Sequence, residues 1–336
     1  MPEAEPREEP RVEPIDSCLA ETHQVENQPP ALENYNPYEC DLALREAIDR
    51  EGAGPAASEL SAFGELTGSA EFIELGFQAN ANKPELYTHD RHGHRVDEVR
   101  FHPAYHRLMK TSLEHGLHSS HWTKPGTGAH VARAARFYLM TQVEAAHLCP
   151  ITMTSAVIPA LKNQPELFAE LAPKIMSTDY DPRNLPIAEK TGITVGMAMT
   201  EKQGGSDVRA NTTRAYPAGE SGPGREFQLV GHKYFVSAPM SDAFLVLAQS
   251  EGGLSCFYMP RWRPDGSRNA MQIQRLKDKM GNIANASSET ELRGAYAVMV
   301  GEEGRGVRTI MEMVSMTRFD CMIGSSAGLR QAVVQA

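Results

Sequence analysis

The sequence predicts a multidomain protein of α and β structure. It would comprise an α-helical N-terminal domain, a central antiparallel β-barrel or sandwich, and the start of a truncated C-terminal helical domain. Apolar residues recur at spacings of three and four until about residue 190, which favours helices. Short runs rich in β-branched and aromatic residues follow, separated by turn residues, which favours antiparallel strands. Helical spacing returns after Gly306, and a chain of 336 residues has room for two or three domains.

The domain boundaries follow these changes in composition. Residues 1–35 are predicted as a flexible acidic tail, residues 36–190 as the α-helical domain, residues 191–303 as the β-barrel domain and residues 304–336 as the first helix of the C-terminal domain. The chain ends in an apolar helical run without a capping Gly or Pro. This pattern predicts that a downstream domain has been lost, and a short terminal helix is the alternative interpretation.

Two helices of the N-terminal region are marked by their residues. Asp41 is placed to cap a helix that carries Leu44 and Ile48 on one face. The run 131–146 has the spacing of a buried amphipathic helix, and Pro150 is predicted to end it.

Composition excludes several classes of protein. A formal net charge of -10 disfavours nucleic-acid binding, although a local basic patch can sit on an acidic protein. Five widely spaced cysteines predict reduced thiols and a cytoplasmic location rather than a disulfide framework. The sequence contains no run of 18 apolar residues, so no membrane span is predicted. The acidic N-terminus lacks the apolar core of a secretion signal.

The segment from Met197 to Asp207, MAMTEKQGGSD, follows a strand-like run and carries two adjacent glycines. Glycines allow close approach of a backbone to a ligand, and exposed loop N–H groups can bind a pyrophosphate. From the residues alone, a plain turn between two strands is the more common explanation of this pattern.

Four motifs in order resemble the FAD-containing acyl-CoA dehydrogenase superfamily. They are the segment MTEKQGGSD, GHKYFVS at 231–237, LKDKMG with SSET at 276–290, and GRGV with RFD at 304–320. The chain from about residue 36 to residue 336 is most similar to the AidB-like branch, named for the bacterial alkylation-response flavoprotein. Lys202, where most members have Pro, supports that branch.

The resemblance implies a FAD site on the barrel, formed by two segments. Backbone and hydroxyl groups near the flavin ring and pyrophosphate would come from Met197, Met199, Thr200, Gly205 and Ser206. Phe235, Val236 and Ser237 would form the second segment, with Phe235 on the ring face and Ser237 at the N5/O4 edge. From the residues alone, plain strand core is the preferred explanation of Phe235 and Val236.

The catalytic residue is not identified by the sequence. The resemblance implies a carboxylate base in the C-terminal domain, and one branch places it before an Arg such as Arg318, where this chain has Thr317. Glu312 and Asp320 do not match the motif. The chain is therefore expected to lack the full reaction. The resemblance also implies that FAD is shared across a subunit interface made largely by the C-terminal domain, so the chain is expected to bind FAD weakly, if at all.

Two other clusters are interpreted as structural. Five histidines between His89 and His106 match no zinc spacing, so no metal is predicted. The arginines near Trp262, from Arg261 to Arg275, are interpreted as a solvated edge, with a nucleic-acid contact as the less favoured alternative.

The leading functional hypothesis is a FAD-dependent acyl-CoA dehydrogenase-type oxidoreductase with an acyl-CoA-like substrate. The alternatives are a DNA-protecting flavoprotein of the alkylation response with little turnover, or an inactive fragment. The resemblance ascribes DNA contact to the missing C-terminal domain and implies a homotetramer for the intact protein.

Overall fold

The computed structural model describes residues 26–336, and residues 33–336 form one compact unit. Most of the predicted acidic tail, residues 1–25, lies outside the described residues. Asn34 and Tyr35 are already tied to the body, since Ala70 N donates to Asn34 Oδ1 at 3.0 Å and Tyr35 N donates to Gly68 O at 3.2 Å. The three predicted domain boundaries remain predictions.

The helices and strands follow one another along the chain in three groups. The helices are α1 Leu42–Arg50, α2 Ala57–Thr67, α3 Ala70–Ala81, α4 Pro103–Glu114, α5 Ser120–Thr123, α6 Ala129–Thr141, α7 Leu148–Leu161, α8 Pro165–Ile175 and α9 Gly306–Gln335. The strands are β1 Glu85–His89, β2 Arg95–Arg100, β3 Val195–Ala198, β4 Arg214–Pro217, β5 Glu226–Ser237, β6 Ala243–Ser250, β7 Gly253–Pro260, β8 Met271–Leu276 and β9 Ser287–Val300. The predicted fold class is confirmed. Within residues 26–336, no helix combines the length and the apolar character needed to cross a membrane.

The N-terminal helices form as their residues predict, with two exceptions. Asp41 Oδ1 accepts from Leu44 N at 3.1 Å and caps α1, and Ile48 is buried. The prediction that Pro150 ends a helix is wrong. α6 ends at Thr141, and Pro150 lies in the first turn of α7, where its missing N–H has no partner to lose.

The second exception is a β-hairpin inside the predicted helical region. β1 and β2 pair antiparallel, and the turn between them closes on Asp90, whose Oδ1 accepts from the backbone N–H groups of His92 and His94 at 2.8 and 2.9 Å. An Asp at the start of a turn and a Gly inside it favour such a hairpin, and Gly93 has a φ of +84°.

The barrel closes on itself through five strands. β6 pairs with β7, β7 with β9, β9 with β5 and β5 with β4, all antiparallel, and β4 meets β6 at one parallel pairing. β3 pairs with β6 in parallel and β8 pairs with β9 antiparallel, so both extend the ring. The interior is apolar, and Leu229, Phe244 and Phe257 are fully buried. This closure places the ends of β3 and β5 on one side of the barrel.

α9 packs between the helices and the barrel. Ile310 and Met313 are buried in a core shared with α7, β6 and β7, and Val314 is buried as well. Phe319 was predicted on this face but is 40% exposed, and its neighbour Asp320 is buried instead. The reason is an ion pair that Asp320 makes with α6, described below.

Candidate functional site

The two segments that the sequence assigns to one site lie side by side. β3 ends at Ala198, and the following loop turns along β5. Tyr234 N donates to Thr200 O at 2.8 Å, and Lys202 N donates to His232 Nε2 at 3.0 Å. The loop 199–206 is thereby fixed against the strand that ends at Ser237.

The glycine turn of this loop presents free backbone donors. Gly205 and Ser206 are exposed, and in the described part of the chain their backbone N–H groups donate to no protein acceptor. A Cβ at Gly205 would lie 2.7 Å from Thr200 Oγ1, so glycine is needed for the loop to fold back this closely. Exposed N–H groups in a tight turn suit an anionic oxygen, as the sequence predicts for Gly205 and Ser206.

The end of β5 alternates between the two faces of the barrel wall. Phe235 is 42% exposed, whereas the side chain of Val236 is 1% exposed and packs in the barrel interior. The strand-core interpretation therefore describes the side chain of Val236, and only its backbone can border a ligand. Phe235 lies on the outer face, next to the partly buried Ser237.

The two methionines of the first segment are partly buried. Met197 lies in β3 opposite Leu245 of β6, and both Met197 and Met199 pack against the core shared with α7. Met199 O accepts from Asn211 Nδ2 at 2.8 Å. The side chains of Met197 and Met199 therefore pack into the core below the site, so a ligand would contact the backbone of this segment rather than these side chains.

Beneath the loop lies a buried ion pair between residues of two motifs. Lys233 Nζ donates to Glu201 Oε1 at 2.9 Å, and the two side chains are 1% and 0% exposed. Glu201 also accepts from Thr212 N at 2.7 Å and Thr213 N at 3.0 Å. A buried charge that is paired and hydrogen-bonded fixes the surrounding backbone, here the start of the glycine loop.

The surroundings set the charge of this pair. Burial alone would raise the pKa of Glu201, but Lys233 and the hydrogen bonds from Thr212 and Thr213 hold it well below its usual value. Burial lowers the pKa of Lys233 to about 8 in spite of Glu201 beside it. Both groups are charged at neutral pH, and the loop remains anchored there.

A second polar group beside Ser237 was not found from the sequence. Ser237 Oγ lies 3.2 Å from Ser287 Oγ, and Lys279 Nζ donates to Ser287 Oγ at 3.1 Å and to Asn285 O at 2.6 Å. A chain of hydrogen bonds thus leads from an ammonium to the hydroxyl that the resemblance puts at the flavin edge. The motif that contains Lys279 was recognised, but its spacing gave no sign that the side chain turns back to β5.

The thiol of Cys149, at the start of α7, borders the same polar group. Burial raises its pKa to about 11, and the nearby ammonium of Lys279 opposes this effect. Burial likewise lowers the pKa of Lys279. The thiol is therefore protonated at neutral pH and acts as a weak polar neighbour, not as a nucleophile.

α9 carries two carboxylates, and neither is a free buried base. Glu312 is exposed. Asp320 is 4% exposed and is bound by the guanidinium of Arg133 and by Thr152 Oγ1 at 2.5 Å. Thr317 Oγ1 donates to Val314 O at 3.0 Å inside the helix. The catalytic base stays unassigned.

The histidine cluster noted in the sequence is divided between the β1–β2 hairpin and α4. His89, His92 and His94 are exposed on the hairpin, whereas His106 Nδ1 lies 2.7 Å from the hydroxyl of Tyr180. Within the described residues, no group of three or more His, Cys, Asp or Glu side chains could hold a metal ion.

The residues present fit a flavin dinucleotide. An exposed aromatic side chain, a hydroxyl at the strand end and two unused backbone donors in a glycine turn are the types of group that such a cofactor needs. The bonds from Tyr234 and Lys202 bring these groups onto one continuous surface.

Comparison with known families agrees with this arrangement. Residues 27–182 match the family described as adaptive response protein AidB N-terminal domain, and residues 196–295 match the acyl-CoA dehydrogenase middle domain. The first region covers the N-terminal helices, and the second covers most of the barrel that carries the site.

Two curated relatives match most of the chain. AidB of Escherichia coli K12 is 52% identical over 93% of this chain and 57% of its own length. Acyl-CoA dehydrogenase family member 11 of Caenorhabditis elegans is 30% identical over 89% of this chain and 50% of its own length. The chain thus spans about half the length of the curated relatives it matches.

Solved structures show the same fold. ACDH-11 of Caenorhabditis elegans in complex with C11-CoA has a TM-score of 0.83 at 26% identity, covering 97% of this chain and 56% of that one. An acyl-CoA dehydrogenase of Bacillus anthracis complexed with FAD has a TM-score of 0.56 at 18% identity, over 89% and 44% of the two chains. With its matched motifs, its two matched family regions and its relatives, the chain belongs to the AidB-like branch of the acyl-CoA dehydrogenase superfamily.

Proposed function

We propose that this chain supplies one wall of the FAD site in an acyl-CoA dehydrogenase-type oxidoreductase of the AidB-like branch. One observation carries the proposal. The glycine loop and the end of β5 are held edge to edge by the bond from Tyr234 N to Thr200 O, and together they offer an open polar surface. The predicted boundaries of the flavin-binding domain, residues 191–303, enclose this surface and are part of the proposal.

Each residue has a role that follows from its position. The backbone donors of Gly205 and Ser206 would bind pyrophosphate oxygens, and Phe235 would cover one face of the ring and exclude water. Ser237 would donate a hydrogen bond at the ring edge, oriented through Ser287. When bound, FAD supplies a hydride acceptor, which no side chain can provide.

The proposed ligand on the other side of the flavin is an acyl-CoA thioester. Support comes from the relative ACDH-11, whose solved structure contains C11-CoA. On α9 the buried Asp320 is bound to Arg133 and Glu312 is exposed, so the proposal assigns to these 336 residues cofactor and thioester binding. Turnover is proposed for the longer proteins of the family.

A flavin titration tests the cofactor part. FAD fluorescence should be quenched as protein is added, and Phe235→Ala should weaken the binding because it removes the exposed ring. Tyr216→Ala is the matched control, since Tyr216 is a 52% exposed aromatic on β4 outside the surface. No quenching by the wild-type protein, or equal weakening by both variants, would contradict the proposal.

A second titration tests the ligand. Addition of C11-CoA to the FAD-loaded protein under anaerobic conditions should perturb the flavin absorbance, and free CoA should have a smaller effect. An unchanged spectrum across a series of acyl-CoA chain lengths would exclude thioester binding next to the flavin.

The DNA-protecting alternative, the homotetramer and the cytoplasmic location remain predictions. Salt-dependent retention of duplex DNA without any flavin response to acyl-CoA would favour the DNA-binding alternative. The described site contains no group that favours it over the dehydrogenase type.

A further inference from the structure

A cavity of about 160 Å³ lies where the β1–β2 hairpin meets the barrel, apart from the proposed flavin surface. We call it the arginine pocket. Its charged and aromatic lining consists of Arg95, Asp97, Arg261, Trp262 and Arg268. From the sequence, the arginines near Trp262 are interpreted as a solvated edge. The structure adds Arg95 of the hairpin to two of them.

The pocket holds more positive than negative charge. Arg95 Nε donates to Asp97 Oδ2 at 2.8 Å, and Asp97 Oδ1 accepts from Ile273 N at 3.1 Å, so the carboxylate is fully engaged. Among the described residues, no carboxylate lies within 4.0 Å of the guanidinium groups of Arg261 or Arg268. Three guanidinium groups thus face one carboxylate, in a protein whose formal net charge is -10.

Acidic residues near the pocket are already paired elsewhere. Glu98 Oε1 accepts from Arg100 Nε at 3.0 Å, and Asp242 Oδ1 accepts from Lys190 Nζ at 2.5 Å. The charge of Arg261 is therefore offset only at a distance, and burial lowers its pKa to about 10. Burying a cation without a direct counter-charge costs free energy, which an anion in the pocket would offset.

The arginines retain unused donors. Arg261 uses Nη1 on Pro239 O and Nη2 on Asp97 O, the latter at 3.4 Å, and Arg268 uses only Nη1, on Val96 O. Arg261 Nε is buried and has no acceptor in the described part of the chain. The bonds to backbone carbonyls orient the guanidinium groups and attach the hairpin to the barrel. Because carbonyls carry no net charge, these bonds do not explain the excess of positive charge in the pocket.

We propose that the arginine pocket binds the phosphoryl group of a small phosphorylated molecule. Guanidinium groups present paired N–H donors that match phosphate oxygens, and Arg261 and Arg268 both line this pocket. The ring of Trp262 closes one wall under Arg268, which lies 5.4 Å from its centroid. The small volume selects a compact anion rather than an extended nucleic-acid backbone.

Isothermal titration with defined probes tests the proposal on the wild-type chain. Inorganic phosphate and ADP should both bind, and adenosine, which lacks the phosphoryl group, should not. A comparison of the affinities of phosphate and ADP shows whether the source of the phosphoryl group is a bare anion or a nucleotide. No heat from either anion overturns the proposal, and so does binding of a duplex oligonucleotide without binding of phosphate.

Variants locate the binding. Arg268→Gln should weaken phosphate binding at least about tenfold, the effect of losing one charged hydrogen bond. Arg263→Gln is the matched control, because Arg263 is exposed in the same segment but does not line the pocket. Equal weakening by both variants overturns the proposal. Because Arg268→Gln also removes the bond to Val96 O, circular dichroism must show an unchanged fold, and the wild-type titration decides the question without any variant.

Discussion

Replacement of Asp320 by Asn should destabilise the protein by breaking the ion pair that joins α9 to the helical part. Asp320 on α9 accepts from both terminal nitrogens of Arg133 on α6, the Nη2 bond being 2.7 Å, and from Thr152 Oγ1 on α7 at 2.5 Å. Three helices therefore meet at one carboxylate. Asp320 and Arg133 are 4% and 2% exposed, so water cannot replace a lost partner.

The magnitude follows from this burial. Removing one partner of a buried pair costs about 3–5 kcal/mol, because the remaining charge is left uncompensated. Asn keeps one oxygen that can accept from Arg133 or Thr152, so we expect the lower end, about 3 kcal/mol. Against a typical stability of roughly 5–15 kcal/mol, this is a large fraction.

Urea unfolding followed by circular dichroism at pH 7 measures the change. Glu59→Gln is the control, since Glu59 is 74% exposed in its 2.5 Å pair with Arg136 and should cost less than about 1 kcal/mol. The double variant Arg133→Met with Asp320→Leu should recover most of the loss, because no charge remains buried. A loss below about 1 kcal/mol in Asp320→Asn would refute the reasoning.

Three further predictions follow from the site. Glu201→Gln should destabilise the protein and weaken FAD binding, because Lys233 loses its buried counter-charge. In the wild type, the contribution of this ion pair to folding stability should decrease as the pH falls below the unfolded pKa of Glu201, near 4.5, since acid then protonates the carboxylate. Alkylation by iodoacetamide at pH 8, mapped by mass spectrometry, should modify Cys40 well before Cys149, whose pKa is about 11. Gly205→Ala should weaken FAD binding in a fluorescence titration with little loss of stability, since its Cβ would displace Thr200.

Controls for these predictions come from the same chain. Gly219→Ala, where a Cβ meets nothing within 4 Å, should leave FAD binding unchanged. Glu220→Gln removes an exposed partner of Arg225 and should cost little. Equal rates for the two cysteines, or an acid midpoint that is the same in Glu201→Gln as in the wild type, would show that the proposed environments are wrong.

Local patterns predicted much of the fold. The strand runs before residue 260 and the cap at Asp41 were visible because period and capping are local properties. The hairpin at 85–100 was missed since its short strands lie among helices, and β8 and β9 were missed since their pairing is a long-range property.

The site was predicted in part for the same reason. The motifs named the loop and the strand, and the structure lays them side by side. What a motif cannot give is which side chain faces inward, so Val236 was assigned with Phe235 although they point to opposite faces. The role of Lys279 at the site was not predicted, because its contact with Ser287 depends on the conformation of the intervening loop.

The buried ion pair of Glu201 and Lys233 makes the two sequence motifs that contain them depend on each other. The residues are 32 positions apart in the sequence, and a change at either alone leaves an uncompensated charge inside the protein. Such positions are expected to change together in evolution or to remain fixed together. A designer who grafts the glycine loop onto a related barrel must therefore transfer the lysine of the neighbouring strand with it.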